Sequence, residues 1–315
     1  MENVHHHSND YKHGEDEEAG VLALAACVSH FFPMALDAAI QLDLFEIIAR
    51  AGGGAQLSPS DIVSQLPTTT TEQPPCLIAC SGCWPSTLCL LVLLKDAVLG
   101  GGNFSERNNG KSYYDILMLN PEHSKMFNDA MGAHSTVLMR KVVNVYDGFA
   151  SLGSIVDVGG GTGTTLAIII TKYPSTRGIN FDLPQVLQTA PSYNSIEHIG
   201  GDMFVEVPKG DAIFLKYILH NWGDEKCIKL LNNCYEALPN KGKLIVMDYI
   251  FPNSPQTDVH AKYASGMDII MSTMLEGKER TKDEFETLAI KAKFSGFKVV
   301  CYVYGMWIME FVKSV

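Results

Sequence analysis

Four short runs in the second half of the chain each end on residue types suited to holding a nucleoside. The first is VDVGGGTG, residues 156–163, which sets glycines directly after an apolar run. Glycine there permits positive φ and lets a ligand come close to the backbone. Asp182, in FDLP, closes the next apolar run, where a carboxylate can accept from both hydroxyls of a ribose. Asp202 and Met203 follow in GGDMF, an acceptor for an adenine amino group beside an apolar side chain that can pack on the ring. Lys216 ends the run AIFLK. The G-x-G-x-x-G spacing of a nicotinamide site is broken here. Counted from Gly159 the third position is Thr164, and counted from Gly161 it is Leu166. An NAD-dependent oxidoreductase is therefore the weaker of the two nucleotide-binding readings.

These residues need a scaffold that brings successive strand ends to one crevice. From Ser154 onward, short apolar runs alternate with helical patterns. The spacing predicts strands at 155–158, 178–183, 197–200, 212–216 and 243–248, with helices at 164–171, 224–238, 259–274 and 281–293. Two further strands, 297–304 and 306–312, meet at Gly305 and should pair antiparallel at one edge. The expected fold is α/β, a doubly wound, mostly parallel sheet that binds its ligand at the carboxyl ends of the strands. Residues 151–315 form this domain. Residues 21–150 read as a separate helical region, with helices from Val21, at 34–50, at 113–118 and at 121–146, and a glycine stop at 52–54. Residues 1–20, polar and rich in His, Glu and Asp, read as a disordered tail.

Composition narrows the function classes. With 24 Lys and Arg against 35 Asp and Glu, the formal net charge is −11, which argues against a nucleic-acid partner. No apolar run reaches the ~18 residues of a membrane span, and no signal-peptide pattern opens the chain. The expectation is a cytoplasmic protein with reduced thiols. Four of the eight cysteines fall at 76, 80, 83 and 89, a spacing that matches no zinc pattern and has no His beside it, so no metal site is expected.

Taken together, VDVGGGTG, GINFDLP, HIGGDMF, DAIFLKYILHNWGDE, NCYEALPNKGKLIV, GKERT, GFK and IMEFVK resemble the plant small-molecule O-methyltransferases, closest to the caffeic acid and flavonoid branch. The match is dense over 150–315, while 21–75 and 103–150 resemble that family's dimerisation and substrate-cap region. The resemblance implies S-adenosyl-L-methionine as cofactor, held by Gly159, Asp182, Asp202, Met203 and Lys216 with Asp157 nearby. It implies His220 as the catalytic base, oriented by Asp248 and Glu279. The family usually has Glu where this chain has Asp248, and a common Asp where it has Asn221. It implies an acceptor pocket at Phe127, Met131 and His134, with Trp222 and Met271 placed to pack on an aromatic ring. A small phenolic substrate, a homodimer through 21–50 and a class I methyltransferase fold follow as expectations, methylation of a small aromatic amine being the alternative. The chemistry is self-consistent. A phenol, with a pKa near 10, needs a base before its oxygen can attack a sulfonium methyl, and a histidine backed by carboxylates can supply one.

One stretch departs from this pattern. Residues 76–90 carry clustered cysteines, Trp84 and Pro85 with no helical period. The family has a helix like LLDRMLRLLAKYSVL there. One possible coding of that helix, read one base late, gives CLIACSGCWPSTLC, which is residues 76–89 here. The pattern resumes near LKDAVL at 94–99, and roughly forty-odd family residues between them have no counterpart. Residues 76–93 are therefore expected to be aberrant, the helical cap truncated, and the chain open to a second reading as a catalytically impaired paralogue that only binds cofactor or dimerises.

Overall fold

The structure is a computed structural model that describes Gly20, residues 39–52, Leu57, residues 61–62 and 64–66, Leu99, Ser105 and residues 108–314. Residues 1–19 of the expected disordered tail, most of the first helices and the whole 76–93 segment lie outside these residues, while Gly20, the last residue of that tail, is helical.

The sheet domain follows the expected alternation closely. Strands β1 (Ser154–Val158), β2 (Arg177–Asp182), β3 (Ile196–Gly200), β4 (Ala212–Lys216), β5 (Lys243–Asp248), β8 (Gly296–Val303) and β9 (Met306–Val312) form one seven-stranded sheet in the order β3-β2-β1-β4-β5-β9-β8. Every pairing among the first five is parallel, whereas β5–β9 and β8–β9 are antiparallel. Two short strands, β6 (Ile250–Phe251) and β7 (Arg280–Thr281), pair separately.

Along β1, Val156 and Val158 belong to one hydrophobic layer and Ile155 to the other. Both faces are covered by helices, which is why the strand reads as a continuous apolar run. The covering helices are α4 (Thr164–Lys172), α6 (Asp224–Ala237) and α8 (Lys282–Lys291). A short α5 (Pro184–Leu187) begins at the proline after β2. Helix α7 (Val259–Met274) is capped by Asp258, and α8 by a box in which Thr281 and Glu284 satisfy each other's backbone N–H.

Ahead of the sheet, α2 (Tyr113–Met118) is capped by Ser112, and α3 (Pro121–Val145) by Asn120, which accepts from Glu122 and His123 N–H. Helix α3 buries Leu138, Met139, Val142 and Val143, one stripe at helical spacing, in the same layer as α4.

Two expectations need correction. The segment 34–50 is not one helix, because among its described residues Leu42 and Asp43 form a turn before α1 (Leu44–Ala51). Asp43 sits in the left-handed region at φ 54, and Gly52, φ 89, ends α1. A short polar Asp tolerates that conformation and lets buried Leu42 turn inward. The strand expected at 178–183 stops at Asp182, since Leu183 is already the N-cap of α5.

Candidate active site

The glycine turn lies over the carboxyl ends of β1 and β2. Gly159, Gly161 and Gly163 all have positive φ, at 69, 59 and 86°. A Cβ on Gly159 would lie 2.4 Å from Ile218 Cδ1, so a side chain there would also have to displace the end of Ile218. Asp182 is drawn into the turn. Its Oδ2 accepts from Gly161 N–H at 2.8 Å and its Oδ1 from Leu183 N–H at 2.7 Å. Burial raises its pKa, and the two backbone donors oppose that rise. Asp202, exposed, accepts from Phe204 N–H at 2.8 Å and shapes the turn after β3. Met203 packs against the sheet core. Asp157 is buried with one oxygen unpartnered. Burial pushes it up to about 7, with Lys216 pulling the other way. Lys216, lowered to about 8 by burial, interacts with Asp157 and Asp248 and so joins the two halves of the crevice. The donors and acceptors fit a ribose and a purine, and the left-handed glycines leave the backbone bare for a close approach.

One strand further on, the chain makes a 3-10 turn, Leu219–Asn221, that carries His220. His220 Nδ1 lies 2.8 Å from Glu279 Oε1 and 3.6 Å from Asp248 Oδ1, with all three side chains buried. Burial lowers the histidine pKa, assisted by Lys216 and Arg280 and opposed by Asp248, so the neutral ring is favoured. Burial raises Asp248 to about 7, with Glu279 adding to the rise and His220 opposing it. It raises Glu279 as well. Three groups this close exchange protons as a unit. Their donor atoms lie within 4.8 Å of one another.

Several residues that make this arrangement possible were not singled out from the sequence. Tyr217 adopts φ 59, stacks on His220 at 5.2 Å between centroids, and shares a 2.6 Å hydroxyl contact with Tyr249. Arg280 is fully buried. It donates to the carbonyls of Leu219 and Trp222, both at 2.7 Å, and to Asp224, pinning the turn from below. Asp268 accepts from Glu279 N–H at 2.8 Å. Gly277 passes so close to the His220 turn that a Cβ there would lie 1.8 Å from His220 O. The only sequence cue was adjacency: Arg280 follows Glu279, and Tyr217 sits within the LKYILHNW run.

The aromatic residues meet above these groups. Trp222 lies 6.0 Å from Tyr114 and 5.0 Å from Phe204, centroid to centroid, and Tyr114 is 6.3 Å from Phe127. His134 reaches Tyr217 at 5.3 Å. Burial drops its pKa to about 4, with Lys216 adding to the shift. Met131, one turn before Ser135 on α3, packs against the inner layer. Met271 is buried on α7, where its carbonyl accepts from Leu275 N–H at 3.2 Å and from Gly277 N–H at 3.4 Å.

A seven-stranded sheet with a glycine turn after β1, an acid at the tip of β2 and an antiparallel final hairpin is the architecture of a class I methyltransferase. The comparisons agree. A family model for the O-methyltransferase domain matches residues 92–295. Caffeic acid 3-O-methyltransferase of Medicago sativa is 43% identical over 353 positions, covering 96% of this chain and 97% of the relative. The Clarkia breweri enzyme of the same name is 42% identical, covering 96% of each. Both alignments run longer than the 315 residues here, so the relatives carry residues with no counterpart in this chain. Among solved structures, LaPhzM aligns at TM-score 0.63 with 32% identity, over 72% of this chain and 70% of that one. The O-methyltransferase NcsB1 from neocarzinostatin biosynthesis, in complex with S-adenosylmethionine and 2-hydroxy-5-methyl naphthoic acid, aligns at 0.60 with 27% identity, over 72% and 68%. The chain belongs to the O-methyltransferase family and is an S-adenosyl-L-methionine-dependent O-methyltransferase. Among the described residues no helix is long and apolar enough to cross a membrane.

Proposed function

We propose that this chain methylates a hydroxyl of a phenolic small molecule of the phenylpropanoid or flavonoid kind, with His220 as the base. One observation carries the reading: a buried imidazole fixed at Nδ1 by Glu279, 2.8 Å away, beside the wall formed by Trp222, Tyr114 and Phe127. The names of the relatives, caffeic acid 3-O-methyltransferases, support the acceptor class.

With Nδ1 engaged by a carboxylate, Nε2 carries the free lone pair. The phenolic proton moves to Nε2, the oxygen forms its bond to the methyl carbon as the carbon–sulfur bond breaks, and the imidazolium is steadied by Glu279 and Asp248. S-adenosyl-L-methionine supplies the electrophilic methyl on a sulfonium. Asp182 is set for the ribose, Asp202 and Met203 for the adenine, and Gly159, Asp157 and Lys216 line the floor between it and His220. Phe127, Met131, His134, Trp222 and Met271 complete the acceptor side. Holding the acceptor in line with the methyl supplies the rest of the rate enhancement. The proposal extends to a cytoplasmic homodimer that pairs through residues 21–50.

The test is turnover of the purified chain with labelled S-adenosyl-L-methionine and a panel of caffeate, flavonoid and small aromatic amine acceptors. Methyl transfer to a phenolic oxygen is the expected result. Transfer to the amines alone would overturn the acceptor class. Cofactor binding without any transfer would favour the impaired-paralogue reading.

A further inference from the structure

Beneath the glycine turn runs a chain of side chains that no step of methyl transfer uses. Asn180, fully buried on β2, spends both amide hydrogens: Nδ2 donates to Gly161 O at 2.9 Å and to His198 Nδ1 at 3.0 Å. The ring of His198, on the neighbouring strand β3, reaches Pro191 O with Nε2 at 3.0 Å. The partners fix every orientation. A carbonyl at Gly161 can face only the NH₂ end of the amide. An NH₂ group facing His198 requires an acceptor at Nδ1, and Pro191 O requires the proton on Nε2. The residue held by this chain, Gly161, is the one whose N–H donates to Asp182 Oδ2.

The far end of Asn180 completes the pattern. Its Oδ1 is buried without a partner, as is Asp157 Oδ2. A Cβ on Gly160 would lie 2.1 Å from the first and 2.8 Å from the second, so the two oxygens crowd one space under the turn. Two bare acceptors there would repel and stay unsatisfied. Burial raises the Asp157 pKa against the pull of Lys216, and a proton there is what would give Asn180 Oδ1 a donor. Through its two Nδ2 hydrogens Asn180 ties together β2, β3 and the turn.

We infer that Asn180, seated on His198, is a positioning residue for the cofactor: through Gly161 it holds Asp182 in the orientation that receives the ribose. Asn180 is fully buried beneath the turn and acts through Gly161. The inference rests on the reading of Asp182 as the ribose acceptor. It differs from a purely structural role in one respect: its loss falls on cofactor affinity and spares the chemical step at His220, which belongs to a different strand end.

The experiment is calorimetry with S-adenosyl-L-methionine, paired with steady-state kinetics, on five full-length proteins. They are the native chain, Asn180→Leu, His198→Leu, His198→Asn and Asp182→Ala. Asn180→Leu keeps the branched shape and removes the donors, and should raise both the Kd and the KM for the cofactor about tenfold or more, with kcat at saturating cofactor within about threefold of native. His198 lies on β3, the end strand of the sheet, so its variants report even where Asn180→Leu fails to fold. His198→Leu should weaken cofactor binding several-fold. His198→Asn, which restores an acceptor near the Nδ1 position, should recover affinity to within about twofold. The inference is overturned if His198→Leu binds like the native chain, if His198→Asn is no better than His198→Leu, or if the loss appears in kcat with KM unchanged. Native-like affinity in Asp182→Ala would instead remove the ribose reading on which the inference stands, and is read separately from the relay.

Discussion

On the sheet side of the molecule, several buried polar groups are held by specific partners, while Asp157 Oδ2, Asn180 Oδ1 and both Asp248 oxygens are buried without a hydrogen bond. Arg280 has two carbonyls and Asp224, Asp182 has two backbone N–H groups, and Asn180 has Gly161 and His198. On the helical side the picture changes. Helix α1 buries Ile47 but leaves Phe45 and Ile48 about half exposed, at 49 and 51%, and Ile40 just before it at 56%. Helix α3 buries one stripe yet exposes Met126, Val137 and Val145. In the cofactor half, Asp182 and Asn180 are held by backbone and cross-strand partners before any ligand arrives. The cap half presents apolar surface, including the face through which the proposed homodimer would pair. The contrast predicts that changes on the two sides separate in their effects.

The sharpest break is at His220. His220→Ala should cut kcat by roughly 10²–10⁴-fold while cofactor affinity persists, because the imidazole does its work after binding. Single-turnover assays beside calorimetry check it, and a variant keeping most of its rate would remove His220 from the role of base. Next comes Asp182→Ala, which takes away a charged acceptor and should weaken cofactor binding by roughly 1–3 kcal/mol. Unchanged affinity would mean that the tip of β2 does not hold the ribose. The pH dependence of kcat gives a smaller effect. His220 is pushed below its ordinary 6.5, so the base is still neutral there. The rate should fall toward acid as the His220–Asp248–Glu279 set takes up protons, the limb belonging to the set and not to one residue. A kcat with no acid limb would contradict a titrating base. The least effect on the cofactor site is expected from Phe45→Asp combined with Ile48→Asp. By light scattering the double variant should shift a dimer to monomers, with cofactor affinity unchanged. A native chain that is already monomeric at micromolar concentration would refute pairing through this face.

How far the sequence could be read follows the same division. Strands β4, β5 and β9 and helix α7 have the bounds expected, since buried strands are short apolar runs and capped helices announce their ends. Asp182 was legible from its place at the end of an apolar run after the glycine turn, whereas His220 and Glu279 came from the family resemblance, and the fold brings those two to 2.8 Å of each other. The left-handed Asp43 was not legible, because an Asp inside a helical period looks like an exposed polar position. Neither were Asn180 and His198: their partnership spans 18 residues and depends on strand register, with Asn180 lying directly opposite His198 on the neighbouring strand. Arg280 escaped for a similar reason, since the carbonyls it holds lie about sixty positions upstream. Pairwise chemistry across strands becomes visible only once the sheet order is known.

The position of β9 has a consequence for how the protein is made. The last strand in sequence lies inside the sheet, between β5 and β8, with Trp307 opposite Asp248. A nascent chain therefore carries an open β5 edge until residues 306–312 leave the ribosome, and an unpaired edge beside a hydrophobic layer invites aggregation. The carboxylate behind His220 stands on that edge strand. Residues 306–312 must be synthesised before Asp248 gains Trp307 as its cross-strand neighbour, and the β5 edge stays open until then.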